Sequence, residues 1–425
     1  MKSRIAYLPL WILIVGIVSA CSSSYNISNE NVAQIYKQTD QQVRPDFQVY
    51  HLNDEETELN FRIQSKKLLY AKKGDKGSYT SKLRFNYVMY ESFNSNLIAD
   101  SGTFHVTDTN NAKVLKEING QIKLKAKYPN KYVLKITAQD LNKNSSETTL
   151  LVVDKTSRQG RQNYLLENPE KREVKYTYTC VKGEQIKITY NSVYARKLYV
   201  KYYDRDFPLS PPPFASYSPK RFDFTPDSLY EVNLDIENSF VLDVNKNGLY
   251  HIQTDTSTRE GLTLLCFDDY FPQVRTPEEM VGVLRFITTN REYERIQMAD
   301  DTRKQVEEFW QTISSSNDRA RELIRSYYGR VEESNRYFTS HIQGWKSDRG
   351  LIYIVFGPPD VIYKSANGES WIYGNGKSQP TLTFNFSLTF NPFSANDFRL
   401  NRSPEYKNFW YKSVDTWRQG RVYSY

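Results

Sequence analysis

Between Phe47 and Asp154, apolar side chains recur at every second position in short runs. Leu59, Phe61 and Ile63 form one run, and Leu83, Phe85, Tyr87 and Met89 the next. Ile122 and Leu124 follow, then Tyr132, Leu134 and Ile136, and Thr148 to Val153 closes the series. A period of two puts one face of each run in a core and the other in water, and Gly, Asn, Asp and Lys clusters separate the runs. The pattern predicts a sandwich-like domain of antiparallel strands over residues 46–155. After a polar connector from Lys155 to Asn163 the same period returns in Ile186/Ile188/Tyr190, Leu198/Val200, Val232/Leu234/Ile236 and Tyr250/Ile252, predicting a second such domain over 170–268. Its insertion Phe207-Pro208-Leu209-Ser210-Pro211-Pro212-Pro213-Phe214 cannot pair as a central strand, because proline has no amide donor. A stiff surface connector is the simpler reading, with a partner-docking loop as the alternative.

At Thr276-Pro277-Glu278-Glu279 the period changes. Thr276 is a helix cap, Pro277 suits the first turn and Glu279 completes a capping box. Three helical stretches are predicted, the second carrying Val306, Phe309, Trp310 and Ile313, the third Leu323, Ile324, Tyr327, Tyr328, Val331 and Phe338. Gly344 ends the last of them. The apolar run Leu351 to Phe356 then reads as a strand, followed by strands at Trp371 to Tyr373 and around Leu382, Phe384, Phe386 and Leu388. Helical spacing in Phe409, Trp410, Val414 and Trp417 predicts a terminal segment covering an open face. The expected architecture is multidomain: two N-terminal antiparallel β-sandwich-like domains, then a C-terminal α+β domain over 276–425 with about three helices and a small antiparallel sheet.

The first residues follow a different logic. Lys2 and Arg4 precede an apolar run from Ile5 to Val18, too short to span a bilayer, and small residues follow it, so residues 1–20 read as a secretion signal. Val18-Ser19-Ala20-Cys21 resembles a bacterial lipobox, which implies a lipidated Cys21 and a flexible tether over 21–45. By the same resemblance, the absence of Asp after the Cys favours the outer membrane, with the protein facing the periplasm. Removing the signal leaves 55 basic against 49 acidic residues, or +6. No block of five basic residues occurs, which argues against nucleic acid as a partner.

Gly344, Trp345 and Asp348 are followed by Arg349, Gly350, the expected strand, Gly357-Pro358-Pro359-Asp360, then Trp371 and Tyr373. On these residues the C-terminal segment resembles the GWxTD domain of Bacteroidetes envelope proteins. Ser347 stands where the motif has Thr, keeping the hydroxyl and losing a methyl. The resemblance extends upstream to Phe309-Trp310 and Tyr337-Phe338. It implies a fold and an envelope address and no reaction.

Candidate chemistry is sparse. The four histidines, His51, His105, His251 and His341, belong to no metal-binding pattern, so no metal or cofactor is expected. Asp243-Val244-Asn245-Lys246-Asn247-Gly248 opens like a calcium loop, but Thr254 occupies the position of the bidentate Glu, and a hairpin is the better reading. Cys180 and Cys266 read equally as a disulfide joining the first and last strands of a domain and as two separate buried thiols. A hydrolase centred on Asp348 and Asp360, with Arg349 and His341 beside them, is the catalytic alternative. Structural roles explain these residues more simply: Trp345 as an apolar plug, Asp348 as a turn cap, Gly350 as a tight-turn residue and Pro358-Pro359 as a fixed exit. The expectation is a non-enzymatic outer-membrane lipoprotein acting with envelope protein partners. The 33 Tyr and 6 Trp make a glycan or peptidoglycan binder the alternative.

Overall fold

A computed structural model describes residues 26–37, 43–72, 78–109, 114–192, 194–216, 222–374 and 380–425. The signal segment and Cys21 lie outside the described residues.

Alternation in the first segment builds two facing sheets. Asp46–His51, Glu56–Gln64 and Glu117–Lys125 form one. In the other, Tyr79–Tyr90 pairs with Ile98–Thr109 and with Lys131–Asp140, which pairs with Ser145–Asp154. Leu59, Phe61 and Ile63 meet Leu83, Phe85, Met89, Leu134 and Ile136 between the sheets, all buried. The second unit packs a three-stranded sheet (Ser239–Asp243, Gln185–Tyr190, Tyr164–Glu167) against a five-stranded one (Thr179–Cys180, Leu262–Cys266, Gly248–Gln253, Lys197–Tyr203, Ser228–Asn233). Tyr164–Glu167 precedes residue 170 yet supplies an edge of this unit, because Tyr164 and Leu166 bury in its core. Asp243 and Gly248 end strands of opposite sheets, so 244–247 crosses between layers and forms no hairpin.

Cys180 and Cys266 are register partners on the one parallel pair of the described strands, and both are buried free thiols. The bridge expected as one alternative is not formed. The hydrogen bond between the two sulfurs pushes the Cys180 thiol up and the Cys266 thiol down, and it is the burial of both that keeps reagents away. Neither thiol should react with Ellman's reagent in the native protein, and both should react in guanidinium chloride; failure of both to react after unfolding would show a disulfide.

Among the described residues, the C-terminal unit has six α-helices and a four-stranded antiparallel sheet in the order Val361–Lys364, Gly368–Tyr373, Leu382–Leu388, Phe398–Leu400. The helices are α1 (Pro277–Leu284), α2 (Asn290–Gln297), α3 (Thr302–Ile313), α4 (Asn317–Phe338), α5 (Asp348–Phe356) and α6 (Tyr406–Arg418). The expected capping box at Thr276 starts α1. Two departures from the expected three helices have physical reasons. Helix α2 buries only Ile296, so it leaves no apolar stripe, although Thr289 and Glu292 form a second capping box. The run Leu351 to Phe356, expected as a strand, belongs to α5, where every residue is buried. A helix buried on all sides has no polar face, and its text cannot be told from a buried strand by periodicity.

The described part of the expected tether is also corrected. Residues 26–37 are no free linker: Val32, Ala33, Ile35 and Tyr36 are buried in the same core as α5 and Trp371. The Ser28 amide donates to the Phe93 carbonyl of the first sandwich, and the Val32 amide to Ile362 of the last sheet. The segment therefore fastens the first β unit to the C-terminal one.

Candidate functional site

The motif lies at the start of α5. Gly344 and Trp345 form a 3-10 turn, and Ser347 is the α5 N-cap: its hydroxyl oxygen accepts the Gly350 amide at 3.0 Å while its O–H donates to the Gly344 carbonyl at 2.6 Å. The cap role expected for Asp348 thus falls to Ser347, because only the residue before the first helical turn can reach back to that amide. Ser347→Ala should cost about 1 kcal/mol, as lost N-caps do, and Ser347→Thr much less; equal thermal midpoints for all three proteins would refute the capping role. A Cβ on Gly344 would fall on the Ser334 carbonyl, and one on Gly350 on the Gly344 carbonyl. Both glycines are needed because turn and helix backbones touch there. Trp345 is 8% exposed, faces Phe286 edge-on at 6.1 Å and donates its indole N–H to the Gln343 side chain at 2.9 Å. At the far end of α5, Gly357 closes the helix at φ +86. Arg330 donates to the Ile354 carbonyl at 3.1 Å and Trp417 to Val355 at 3.0 Å, satisfying carbonyls of the last turn.

Asp348 faces outward from the first turn of α5 into a second layer of contacts. Its carboxylate accepts the Leu400 amide at 2.8 Å and pairs with Arg402, and Arg402 in turn donates to the Pro211 carbonyl at 3.1 Å. The Pro-rich loop therefore docks on its own chain. The Ser210 amide and hydroxyl donate to the Lys346 carbonyl at 3.2 and 2.9 Å, the Ser403 amide donates to Pro213, and Phe214 packs on Tyr411 at 5.5 Å. Its prolines lie where no strand amide is needed, and its carbonyls serve as acceptors for the motif's own partners.

Arg349, one residue further, points into a buried ion network. Its guanidinium lies 3.1 Å from Glu369, which also takes Lys364 at 2.8 Å, the Tyr36 hydroxyl at 2.9 Å and the Trp371 indole at 2.9 Å. The Asn396 carbonyl accepts from Arg349 at 2.9 Å, and Phe398 lies against the guanidinium face at 4.1 Å. Burial would raise the Glu369 carboxyl, yet Lys364 and Arg349 pull it down to about 2. Lys364 is raised, because Glu369 outweighs its burial. Glu369, Lys364 and Tyr36 were missed in the sequence. The one available signal was the pair Lys364 and Glu369 flanking a Ser-Ala-Asn-Gly turn, which places them opposite each other on a hairpin. Trp371 and Tyr373 are buried on the same strand: Trp371 packs between Tyr36 and Phe386, and the Tyr373 hydroxyl donates to the Gly357 carbonyl at 2.8 Å.

The four residues of the hydrolase alternative are not brought together. Asp348 begins α5 and Asp360 lies beyond its other end, with the helix between them about 12 Å long at 1.5 Å per residue. Asp360 is exposed and accepts the Gly374 amide at 2.8 Å; Pro358 is exposed beside it, and Pro359 is buried. His341 is buried near Asn391, 2.7 Å away, and meets Phe207 of the Pro-rich loop edge-on at 4.9 Å. Burial lowers its pKa and keeps the ring neutral. Arg349 faces Glu369 and neither aspartate. Among the described residues, no group of three His, Cys, Asp or Glu side chains is placed to hold a metal ion, and no helix is long and apolar enough to cross a membrane.

Residues 248–419 match the family model described as the GWxTD domain. The match begins inside the second β unit and ends at the last helix, so it takes in every motif residue above. No curated protein matches the chain. Among solved structures, red sea bream transglutaminase is similar at 9% identity over 54% of this chain, with a TM-score of 0.19, and the match spans 32% of that chain. A score that low carries no argument about fold or activity.

Proposed function

Because the chain carries a GWxTD domain, we propose that it is a non-enzymatic component of an envelope complex, held at the outer membrane by a lipid on Cys21 and facing the periplasm. One observation carries this reading: the motif's polar side chains are engaged within the chain. Ser347 caps α5, Asp348 holds Arg402 and through it the Pro-rich loop, and Arg349 holds Glu369 beside Tyr36. Such an arrangement joins the β units to the C-terminal unit and, among the described residues of the motif, turns Ser347, Asp348 and Arg349 toward separate partners within the chain. A frame of fixed shape suits a scaffold, which must present the same surfaces to its partners each time.

The test is crosslinking in intact envelopes followed by affinity purification of the full chain. A reproducible protein partner in the membrane fraction is expected, together with release of the protein into the soluble fraction on Cys21→Ala. Recovery only as a monomer would sink the scaffold reading, and unchanged fractionation of the Cys21 variant would sink the anchor.

A further inference from the structure

Where the three units meet, a cleft of about 1050 Å³ opens between the first sandwich, the second β unit and the end of α4. That volume is at the upper end for ligand sites. Six cations line it, Arg44, Arg62, Lys66, Lys67, Arg161 and Arg336, against two carboxylates, Asp46 and Glu147. Both carboxylates are engaged: Asp46 by Arg62 at 2.9 Å, Glu147 by Arg44 at 3.0 Å. The net field in the cleft is therefore positive.

Arg161 gives this field a focus. It follows Gly160 in the short turn between the β units, and its guanidinium makes no hydrogen bond or ion pair among the described residues. Asp154, whose charge it senses, is taken up by Lys131 at 3.0 Å and by the Thr156 hydroxyl. Burial lowers the pKa of this guanidinium. Arg161 is half-buried in the cleft wall, so its guanidinium keeps donors in a fixed place for an incoming anion.

The remaining lining selects among anions. Gln64, Thr149, Thr177 and Ser340 offer neutral hydroxyls and an amide, which match a polyhydroxylated ligand better than a bare ion. Tyr176 and Tyr178 add aromatic rings, and the Tyr176 ring is held under Arg62 at 4.9 Å. We propose that this cleft binds an acidic oligosaccharide, with Arg161 pairing a sugar carboxylate and the tyrosines lying against sugar rings. The site is independent of the scaffold reading, since it uses none of the motif side chains.

Isothermal titration of the full chain in mild detergent tests it, with trigalacturonate as the probe and maltotriose, hexaglutamate and inorganic phosphate as comparisons. Trigalacturonate should bind, more weakly as salt rises, and maltotriose should not. Arg161→Ala should weaken binding about tenfold or more, the effect of losing a charge-assisted pair. If that variant fails to fold, Lys66→Ala, at an exposed position on the rim, should weaken binding about two- to fivefold. Absence of trigalacturonate binding, or wild-type affinity in the variant that folds, overturns the proposal. Hexaglutamate binding as tightly would assign the cleft to an acidic protein instead, and phosphate binding as tightly would reduce it to a site for simple anions.

Discussion

Glu369→Ala should destabilise the C-terminal unit by about 3–5 kcal/mol, the loss that follows when one member of a buried ion network is removed. Arg349, Lys364 and Glu369 share a pocket closed by Tyr36 and Trp371, and the Glu369 side chain is 0% exposed. Without the carboxylate, the buried Arg349 guanidinium loses its counter-charge and faces the half-buried Lys364 ammonium. A control separates this from loss of packing: the triple variant Arg349→Met, Lys364→Met, Glu369→Leu should recover much of the stability, because apolar side chains of similar volume need no partner. Urea midpoints decide it, and an Ala variant within about 1 kcal/mol of wild type would remove the network from any structural role.

The same group sets an acid limit. Its folded pKa, about 2, lies below the unfolded value, so its contribution is complete above the unfolded pKa and is lost as pH falls through the folded one. Glu292, brought to about 2 chiefly by its hydrogen bond from Arg418, acts in the same window. Glu147 and Glu333, raised by burial, act in the opposite sense and soften the loss. Urea midpoints should fall between about pH 4.5 and pH 2, and Glu369→Gln should flatten that fall. A parallel decline in wild type and variant would assign acid sensitivity elsewhere.

Trp345→Ala is the second large effect, again about 3–5 kcal/mol, typical of truncating a buried Trp. The ring lies on Phe286 and against Gly282 of α1, and it fixes the turn from which α5 starts. Its removal would open a void between α1 and the motif turn. Chemical denaturation measures the loss. A Trp345 variant of unchanged stability that no longer recovers its envelope partner would mark the ring as a contact surface.

Much of this fold was legible because its elements have two faces. Leu59 to Ile63 and Leu83 to Met89 alternate since one side of each sheet is wet, and Val306 to Trp310 forms a stripe since α3 lies on the surface of its unit. Legibility failed where burial is complete. Leu351 to Phe356 was read as a strand because no polar face marked its turn, though Ser347 before it and Gly357 after it are a helix start and stop. Of the site, Trp345, Gly350 and Trp371 were legible as structural residues. The partners of Arg349 and Asp348 were not: Tyr36 is 313 residues from Arg349 and Arg402 is 54 from Asp348, and no local pattern encodes such pairings.

The clamp formed by residues 26–37 has a consequence for the order in which the chain is made. Synthesis delivers Tyr36 first and Glu369 333 residues later, so the pocket that Tyr36 closes stays open until the last sheet has emerged. Closure over that separation is a late event in folding. It also means that the segment matching the family, 248–419, is not the complete unit: expressed alone it would display Lys364, Glu369 and Trp371 in an uncovered groove, and a peptide of residues 26–37 added in trans should find it.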